Sequence, residues 1–282
     1  MKLGYFPGCS LHGSGKELSE SLAAVAPALG VELEEVRDWA CCGASSAHAL
    51  NPLLAAALPA RTLALAEQQG LDRVMAPCAA CYNRLSGARH HIAKDPAFGA
   101  RVGAAIEMPF RNSVGVLSIV EMLKALVPAI EEQRTRPLAG LKLACYYGCL
   151  LVRPADVTGF DDVEQPTSME AIVSATGATP VAWNRKLDCC GGGFSLSRTG
   201  SVIRLGRAIL DDARAAGADA IVTACPMCQS NLDFRQGAMA TSYDMPILYL
   251  TQVVGLALGL GDESLGLGRH FVDPAPVIEG VR

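Results

Sequence analysis

Cysteine is the residue type in this chain whose number and spacing could support chemistry. The sequence of 282 residues contains 11 cysteines, and ten of them fall into two sets with the same order. Each set begins with a single cysteine, continues with an adjacent Cys-Cys pair followed by glycine, and ends with Cys-x-x-Cys. The first set is Cys9, Cys41, Cys42, Cys78 and Cys81, and the second is Cys149, Cys189, Cys190, Cys225 and Cys228. Cys145 is left over.

Thiols in these patterns indicate metal binding or redox chemistry. The first residues lack the layout of a secretory leader, and without secretion disulfides are not expected to persist. A structural zinc ion takes four ligands and would leave one cysteine of each set unused. Iron–sulfur clusters are also held by thiolates, and a bridging thiolate would use a fifth cysteine. The spacing therefore favours iron–sulfur clusters, with zinc as the alternative.

The residues around the cysteines indicate an internal duplication. Lys2-Leu3 and Gly8-Cys9 match Lys142-Leu143 and Gly148-Cys149 at one constant offset, and the Cys-x-x-Cys motifs match at a similar one. The charged, proline-containing segment 131–139 lies between the halves. We therefore expect two domains, 1–135 and 136–282. In this alignment Cys145 is opposite Tyr5 within a strand, so we expect it to be a core residue and not a ligand.

The elements that must position these cysteines alternate between strand and helix. Short apolar runs predict strands at 2–6, 73–76 and 114–119, and at 141–146, 220–224 and 247–250. Helices are predicted at 17–29, 49–69, 168–176 and 202–216. The pattern predicts an α/β fold of two duplicated Cys-Cys-Gly domains, each a small, mostly parallel sheet with flanking helices, related by a pseudo-two-fold axis. Cys9, Cys78, Cys149 and Cys225 would then lie at the carboxyl ends of strands, where such sheets bind ligands.

Composition excludes several classes of protein. Hydrophobic residues make up 50% of the chain and charged residues 18%, which is typical of a globular protein and not of a disordered one. A formal net charge of −4 gives no electrostatic reason to expect nucleic acid or a membrane surface. The apolar segment 250–260 is too short to span a bilayer. We expect a soluble, cytoplasmic protein without a membrane span.

The sequence motifs around the cysteines carry a family resemblance. YFPGC at 5–9, DWACCGASSAH at 38–48 and CAACYNRL at 78–85 occur in the first half. YYGCLLVRP at 146–154, CCGGGFSLSR at 189–198 and CPMCQSNLDFRQ at 225–236 occur in the second. Together they resemble the B subunit of heterodisulfide reductase, including its bacterial relatives in sulfur oxidation. The resemblance covers nearly the whole chain.

This resemblance implies an oxidoreductase that acts on sulfur groups within a larger complex. Each set of five cysteines would bind one noncubane [4Fe–4S] cluster, and a disulfide or persulfide would be cleaved or formed between the two clusters. The implied partners are the ferredoxin-like C subunit and the flavin-containing A subunit of that complex. The implied substrate is a mixed disulfide of two coenzymes, or sulfur on a lipoate-carrying protein. The alternative is an electron-transfer or docking Cys-Cys-Gly protein of a succinate, lactate or glycolate dehydrogenase.

Several other polar residues have two interpretations each. His12 could tune a cluster or donate a proton, or could be a loop histidine with no such role. Trp39 is expected to shield a cluster from water, and Asn83 and Asn231 could bond the backbone of the cysteine loops. Arg84, Arg153 and Arg198 could attract an anionic thiol substrate, although a solvated arginine is the default for each. We expect His48, His90 and His91 to be surface or helix-cap residues. No catalytic residue beyond the cluster ligands is predicted.

Overall fold

The structure is a computed structural model that describes residues 1–44 and 47–280. In these residues, eight short strands form two parallel sheets of four strands each. The first sheet consists of β1 (Lys2–Tyr5), β2 (Glu32–Glu35), β3 (Arg73–Ala76) and β4 (Gly115–Ser118), in the order β2-β1-β3-β4. The second consists of β5 (Lys142–Tyr146), β6 (Thr179–Pro180), β7 (Ala220–Thr223) and β8 (Ile247–Tyr249), in the order β6-β5-β7-β8. The two sheets thus have the same topology.

Helices flank both sheets. The first sheet is accompanied by α1 (Gly8–His12), α2 (Lys16–Ala28), α3 (Ala47–Leu50), α4 (Pro52–Gln68), α5 (Ala79–Lys94), α6 (Pro96–Ile106), α7 (Ile119–Ala125) and α8 (Val127–Gln133). The second is accompanied by α9 (Ala155–Thr158), α10 (Ser168–Ala175), α11 (Thr199–Ala215), α12 (Pro226–Asp233), α13 (Leu250–Ala257) and α14 (Ala275–Glu279). Short 3₁₀ helices span Gly192–Ser195, Gln236–Ala238 and Leu267–Arg269. The α/β fold of two parallel sheets with flanking helices is confirmed.

One unit of strand, cysteine and helix occurs at the same place in each half. β3 is followed by Cys78, the N-cap residue of α5, and β7 is followed by Cys225, the N-cap residue of α12. All four residues of β7 are buried, because a central parallel strand is covered on both faces. The chain therefore enters each Cys-x-x-Cys motif from a rigid, buried strand, which fixes the position of the first cysteine.

Some local expectations differ from the structure. The helix expected at 49–69 is divided into α3 and α4 at Asn51, whose side chain accepts bonds from Leu53 N and Leu54 N as the cap of α4. The edge strands β2 and β6 were not predicted, and of the helices only α2, α4, α10 and α11 and the end of α3 were predicted. The expected linker 131–139 begins inside α8, which continues to Gln133.

The two halves are packed closely against each other. The hydroxyl groups of Ser21 on α2 and Thr251 on α13 lie 2.6 Å apart and both are buried. Lys124 at the end of α7 donates to Ser168 at the start of α10 at 2.9 Å. One apolar core includes side chains of both sheets. In the described part of the chain, no helix is both long enough and apolar enough to cross a membrane.

Candidate metal centre

Two glycines bring the loops after β1 and β5 against the cysteine motifs. Gly8 has φ +68° and Gly148 has φ +66°, a conformation that side chains rarely adopt. A Cβ atom on Gly8 would lie 2.8 Å from Cys81 Sγ, and one on Gly148 would lie 3.1 Å from Cys228 Sγ. Only glycine therefore allows each loop to approach the sulfur of the second cysteine in Cys-x-x-Cys.

The first set of cysteines forms two neighbouring pairs and one single residue. Cys42 Sγ and Cys81 Sγ are hydrogen-bonded at 3.3 Å, and both side chains are buried. Cys9 and Cys41 lie near each other at the surface, where their side chains interact. Cys78 is buried beside Cys81. The structure thus brings together all five cysteines that the sequence analysis assigned to this set.

The second set repeats these pairs. Cys190 Sγ and Cys228 Sγ lie 3.5 Å apart, which is the counterpart of the Cys42–Cys81 contact. Cys149 and Cys189 are hydrogen-bonded, as expected for the counterparts of Cys9 and Cys41. Cys189 is exposed and Cys149 is half-buried, while Cys225 is buried beside Cys228. The duplication therefore extends from the sequence to the contacts between sulfur atoms.

The two sets meet at a pair of equivalent residues. The thiols of Cys78 and Cys225 interact directly, and the residues are only 2% and 5% exposed. Around this contact, a Cβ atom on Gly15 would lie 2.9 Å from Pro226 Cβ and 3.4 Å from the Tyr249 hydroxyl. The ten cysteines thus form one continuous group across the contact between the halves.

A hydrogen bond between two thiols lowers the pKa of one and raises the pKa of the other. The bond with Cys81 lowers the pKa of Cys42 to about 7, assisted by the Arg84 guanidinium, and the same bond raises the pKa of Cys81. The bond with Cys149 lowers the pKa of Cys189 to about 6. One thiol of each of these pairs therefore ionises easily, and a thiolate is the form that binds metals.

Matching aromatic pairs lie beside both sets. Trp39 packs edge-on against Phe6, with ring centroids 5.3 Å apart, and stacks on His12 at 5.6 Å. Trp183 lies 6.0 Å from Tyr146, the residue that corresponds to Phe6. The sequence analysis considered Trp39 but missed Trp183. Its signal was its place a few residues before the Cys-Cys-Gly motif, as for Trp39.

The two asparagines that follow the Cys-x-x-Cys motifs bond loop backbones. Asn231 donates to Gly192 O at 3.1 Å, within the second Cys-Cys-Gly loop. Asn83 instead donates to Leu150 O at 3.0 Å and to Arg153 O at 2.8 Å. Because both acceptors belong to the segment after Cys149, Asn83 fastens the first motif to the other half of the molecule.

The three arginines singled out from the sequence have different surroundings. Arg153 forms an ion pair with Glu164 at 2.9 Å. Arg198 is exposed at the start of α11. Arg84 is half-buried and lies beside Cys42. Of the three, Arg84 has the surroundings of a functional residue.

The remaining histidines and the odd cysteine also have defined places. His90 lies 3.3 Å from Asp156 of the other half, while His48 and His91 are exposed on α3 and α5. Cys145 is fully buried in β5, paired in register with Val222 of β7. Cys145 therefore occupies the strand position that the alignment of the halves predicted.

The donor set fits a group that contains several metal atoms. Thiolates are soft ligands suited to zinc or to iron–sulfur clusters. Within residues 1–44 and 47–280, no three Cys, His, Asp or Glu side chains converge closely enough to hold a single metal ion. The sulfur atoms of each set are instead distributed over neighbouring pairs, an arrangement that suits a cluster better than one tetrahedral ion.

Comparison with known proteins identifies relatives of the whole chain. It is 37% identical to the 8-methylmenaquinol:fumarate reductase membrane anchor subunit of Wolinella succinogenes, over 95% of this chain and 96% of that protein. It is 31% identical to the B subunit of the ferredoxin:CoB-CoM heterodisulfide reductase of Methanosarcina mazei, over 96% of this chain and 94% of that protein. The predicted resemblance to this reductase is confirmed.

A structural match and a family match complete the comparison. The crystal structure of a hypothetical protein from Helicobacter pylori superposes with a TM-score of 0.76 at 12% identity, which shows a shared fold. It covers 96% of this chain, and this chain spans about half (52%) of that one. The family model for the cysteine-rich CCG domain matches residues 3–86 and again residues 143–233. The chain belongs to the cysteine-rich CCG domain family and carries the domain twice.

Proposed function

We propose that this chain is an iron–sulfur, electron-transferring component of a multi-subunit oxidoreductase. The observation that carries the proposal is the meeting of two five-cysteine sets at Cys78 and Cys225. Electron transfer requires redox centres close together in a protein that holds them rigidly. The named relatives, both of them parts of reductases, support the same role.

Each set of cysteines would hold one [4Fe–4S] cluster of the noncubane kind. The proposed ligands are Cys9, Cys41, Cys42, Cys78 and Cys81 in the first half, and Cys149, Cys189, Cys190, Cys225 and Cys228 in the second. Five thiolates exceed the four that a cubane cluster needs, which supports a bridged arrangement. Gly8 and Gly148 would keep space for the group beside Cys81 and Cys228, since a Cβ atom there would contact the sulfur.

The reaction proposed first is the reduction or oxidative formation of a disulfide or persulfide. Reducing a disulfide takes two electrons and two protons and gives two thiols, and two clusters would supply one electron each. The chain's own residues would admit and orient the substrate: Cys9, Cys41 and Cys189 are exposed, while Cys78 and Cys225 close the inner end. The names of the reductase relatives, which specify the CoB-CoM heterodisulfide, support a disulfide substrate.

The proposed partners belong to the same complex. The ferredoxin-like C subunit and the flavin-containing A subunit would connect the clusters to an electron source. A lipoate-carrying protein would present the substrate in a sulfur-oxidising complex. We propose a cytoplasmic location for such a complex.

A second function is favoured by the relative from Wolinella succinogenes. At 37% identity over 95% of the chain, this part of 8-methylmenaquinol:fumarate reductase is more similar to this chain than the heterodisulfide reductase relatives at 31% and 30%. In that case the chain would relay electrons to or from a flavoprotein of the succinate or fumarate type and would have no disulfide substrate of its own.

Metal analysis and one assay test the proposal. Anaerobically purified protein is expected to contain about eight iron and eight sulfide per chain, as two [4Fe–4S] clusters require. One tightly bound zinc per half without sulfide would refute the iron–sulfur assignment. With reduced viologen as donor, turnover of a mixed disulfide would support the first reaction. Fumarate reduction only after addition of a co-purified flavoprotein would support the second.

A further inference from the structure

A cavity of about 550 Å³ lies between helices α4, α5 and α6 of the first half, outside the group of cysteines. Pro154 and Val157, at the start of α9, close it from the second half. Its size is that of sites for small organic molecules, which bury most of their ligand's surface. The cavity therefore has the dimensions and the two-sided wall of a ligand site.

Basic side chains outnumber acidic ones around this cavity. Its basic lining residues are His48, Arg84, His91 and Lys94, and its single acidic lining residue is Asp95. The Asp95 carboxylate accepts from Phe98 N at 3.0 Å as the cap of α6 and keeps its negative charge. Among the described residues, Arg84 and Lys94 form no ion pair with a carboxylate. The cavity therefore carries a net positive charge from Arg84 and Lys94 against the single Asp95 carboxylate.

Arg84 is the polar group at the inner end. Its Nε atom is buried, and no hydrogen-bond partner for it exists in the part of the chain that the structure describes. A buried donor without a partner reduces the stability of the folded protein, and a bound acceptor would recover that loss. The guanidinium presents its donors in a planar fork that matches carboxylate, sulfonate and phosphate groups.

The cavity is elongated along α5. Arg84, His91 and Lys94 recur on one face of this helix, and its rise separates the first from the last by about 15 Å. Arg84 is half-buried, whereas His91 and Lys94 are exposed and mark the opening. Apolar side chains, including Ala56 and Phe98, line the walls between the two ends. A ligand that fills this shape has an apolar body and an anionic end.

The inner end adjoins the first set of cysteines. Arg84 lies one helical turn after Cys81, and its guanidinium is close enough to Cys42 to favour that residue's thiolate. Asn83, which also lines the cavity, bonds the backbone after Cys149. A ligand here would contact both halves of the protein.

We propose that this cavity is a binding site for an elongated organic anion, with its oxyanion held by the Arg84 fork and its apolar body between α4 and α6. The site adjoins the first set of cysteines through Arg84, but binding of an anion there does not require the reaction proposed above. Failure of the electron-transfer proposal would therefore leave it intact, because its test measures binding and not turnover.

Calorimetric titration of the full chain, purified anaerobically, tests the proposal. The probes are octanoate, octanesulfonate and octyl phosphate, with octanol as the neutral match. At least one anionic probe is expected to bind at one site per chain, at least tenfold more tightly than octanol. Equal binding of octanol, or no binding of any anion up to millimolar concentration, would overturn the assignment. The best of the three anions identifies the head group.

Variants locate the site. Arg84→Gln is expected to weaken binding of the best probe by tenfold or more. Arg84→Lys is expected to weaken it by less, because lysine keeps the positive charge but lacks the planar pair of donors. Lys94→Gln, an exposed change that cannot disturb the core, is expected to weaken binding by severalfold. Arg101→Gln on α6 is the control, since Arg101 is exposed and does not line the cavity. Equal losses in the Arg84→Gln and Arg101→Gln variants would refute the site.

Discussion

Replacing Gly8 with alanine tests how closely the loop after β1 approaches the first set of cysteines. An alanine at φ +68° is strained by about 1–2 kcal/mol, partly offset by about 0.4–1 kcal/mol from the reduced freedom of the unfolded chain. The new Cβ would also lie 2.8 Å from Cys81 Sγ, well inside ordinary contact distance. Overpacking of this kind costs about 1–3 kcal/mol more. We expect the free energy of unfolding to fall by about 2–4 kcal/mol.

Gly70→Ala is the matched control. Gly70 has φ +74°, so alanine has the same backbone strain, but no atom lies within 4 Å of its added Cβ. We expect this variant to lose about 1 kcal/mol and to retain its iron, because the unfolded-state entropy offsets only part of the backbone strain. The difference between the free energies of unfolding of the two variants therefore measures the effect of the contact between the new methyl group and Cys81 Sγ.

Urea unfolding of the metal-free protein and iron analysis of the anaerobically purified protein measure the two effects. Gly8→Ala is expected to lose iron as well as stability, since Cys81 must move away from the new methyl group. The reasoning would be refuted if Gly8→Ala and Gly70→Ala lost equal stability and both retained full iron.

Three further outcomes are expected. Cys149→Ser should lose iron from the second set, whereas Cys145→Ser should retain all iron and cost about 1 kcal/mol for burying a hydroxyl. Burial lowers the pKa of His270 to about 4, so the unfolded chain binds a proton below pH 6.5 that the folded protein does not. The free energy of unfolding, measured with urea, should fall by up to about 3 kcal/mol as pH falls from 6.5 to 4. The His270→Gln variant should not show this pH dependence. Tyr249→Phe should stabilise the metal-free protein by about 1 kcal/mol, because its buried hydroxyl has no partner among the described residues.

A specific result would contradict each of these three predictions. Iron lost on Cys145→Ser but not on Cys149→Ser would show that the halves are misaligned at their first strand. An unchanged acid profile in His270→Gln would mean that groups other than His270 control the loss of stability in acid. Tyr146→Phe is the control for Tyr249→Phe: its hydroxyl donates to Asp188 O, so its removal should destabilise the protein. Equal effects of the two tyrosine changes would contradict the argument.

The apolar strands, including the edge strands β4 and β8, could be predicted from the sequence, but the edge strands β2 and β6 could not. β2 reads Glu-Leu-Glu-Glu and is held partly by Lys2, which forms ion pairs with Glu32 at 3.6 Å and with Glu34 at 2.9 Å. An edge strand is covered on fewer sides than a central one, so it can tolerate charge and does not need an apolar run. β6 is two residues long and includes Pro180, a residue type that ordinarily marks the absence of a strand.

The grouping of the cysteines within each half was predictable, and the family resemblance implied that the two groups lie close together, whereas the particular residues through which they meet were not predictable. Each set follows from spacing, because strand, cysteine and helix lie close together in sequence. The Cys78–Cys225 contact and the bond from Asn83 to Leu150 depend on how two halves pack, and this information is spread over the α2–α13 and α5–α9 contacts. No local pattern of residue types encodes it. The same is true of the cavity beside Arg84, which needs a wall from α9.

The contact between Cys78 and Cys225 also bears on the ancestry of the chain. These are the same position of the repeated unit, and a residue that touches its own equivalent must lie on a two-fold axis. A single unit could make this contact only with a second copy, as an isologous homodimer. Once two copies were fused into one chain, the two units no longer had to have the same sequence. Position 118, a serine that caps α7 in one unit, corresponds in register to Tyr249 in the other. The surroundings of the two cysteine sets were then free to diverge, which an obligate homodimer would have forbidden.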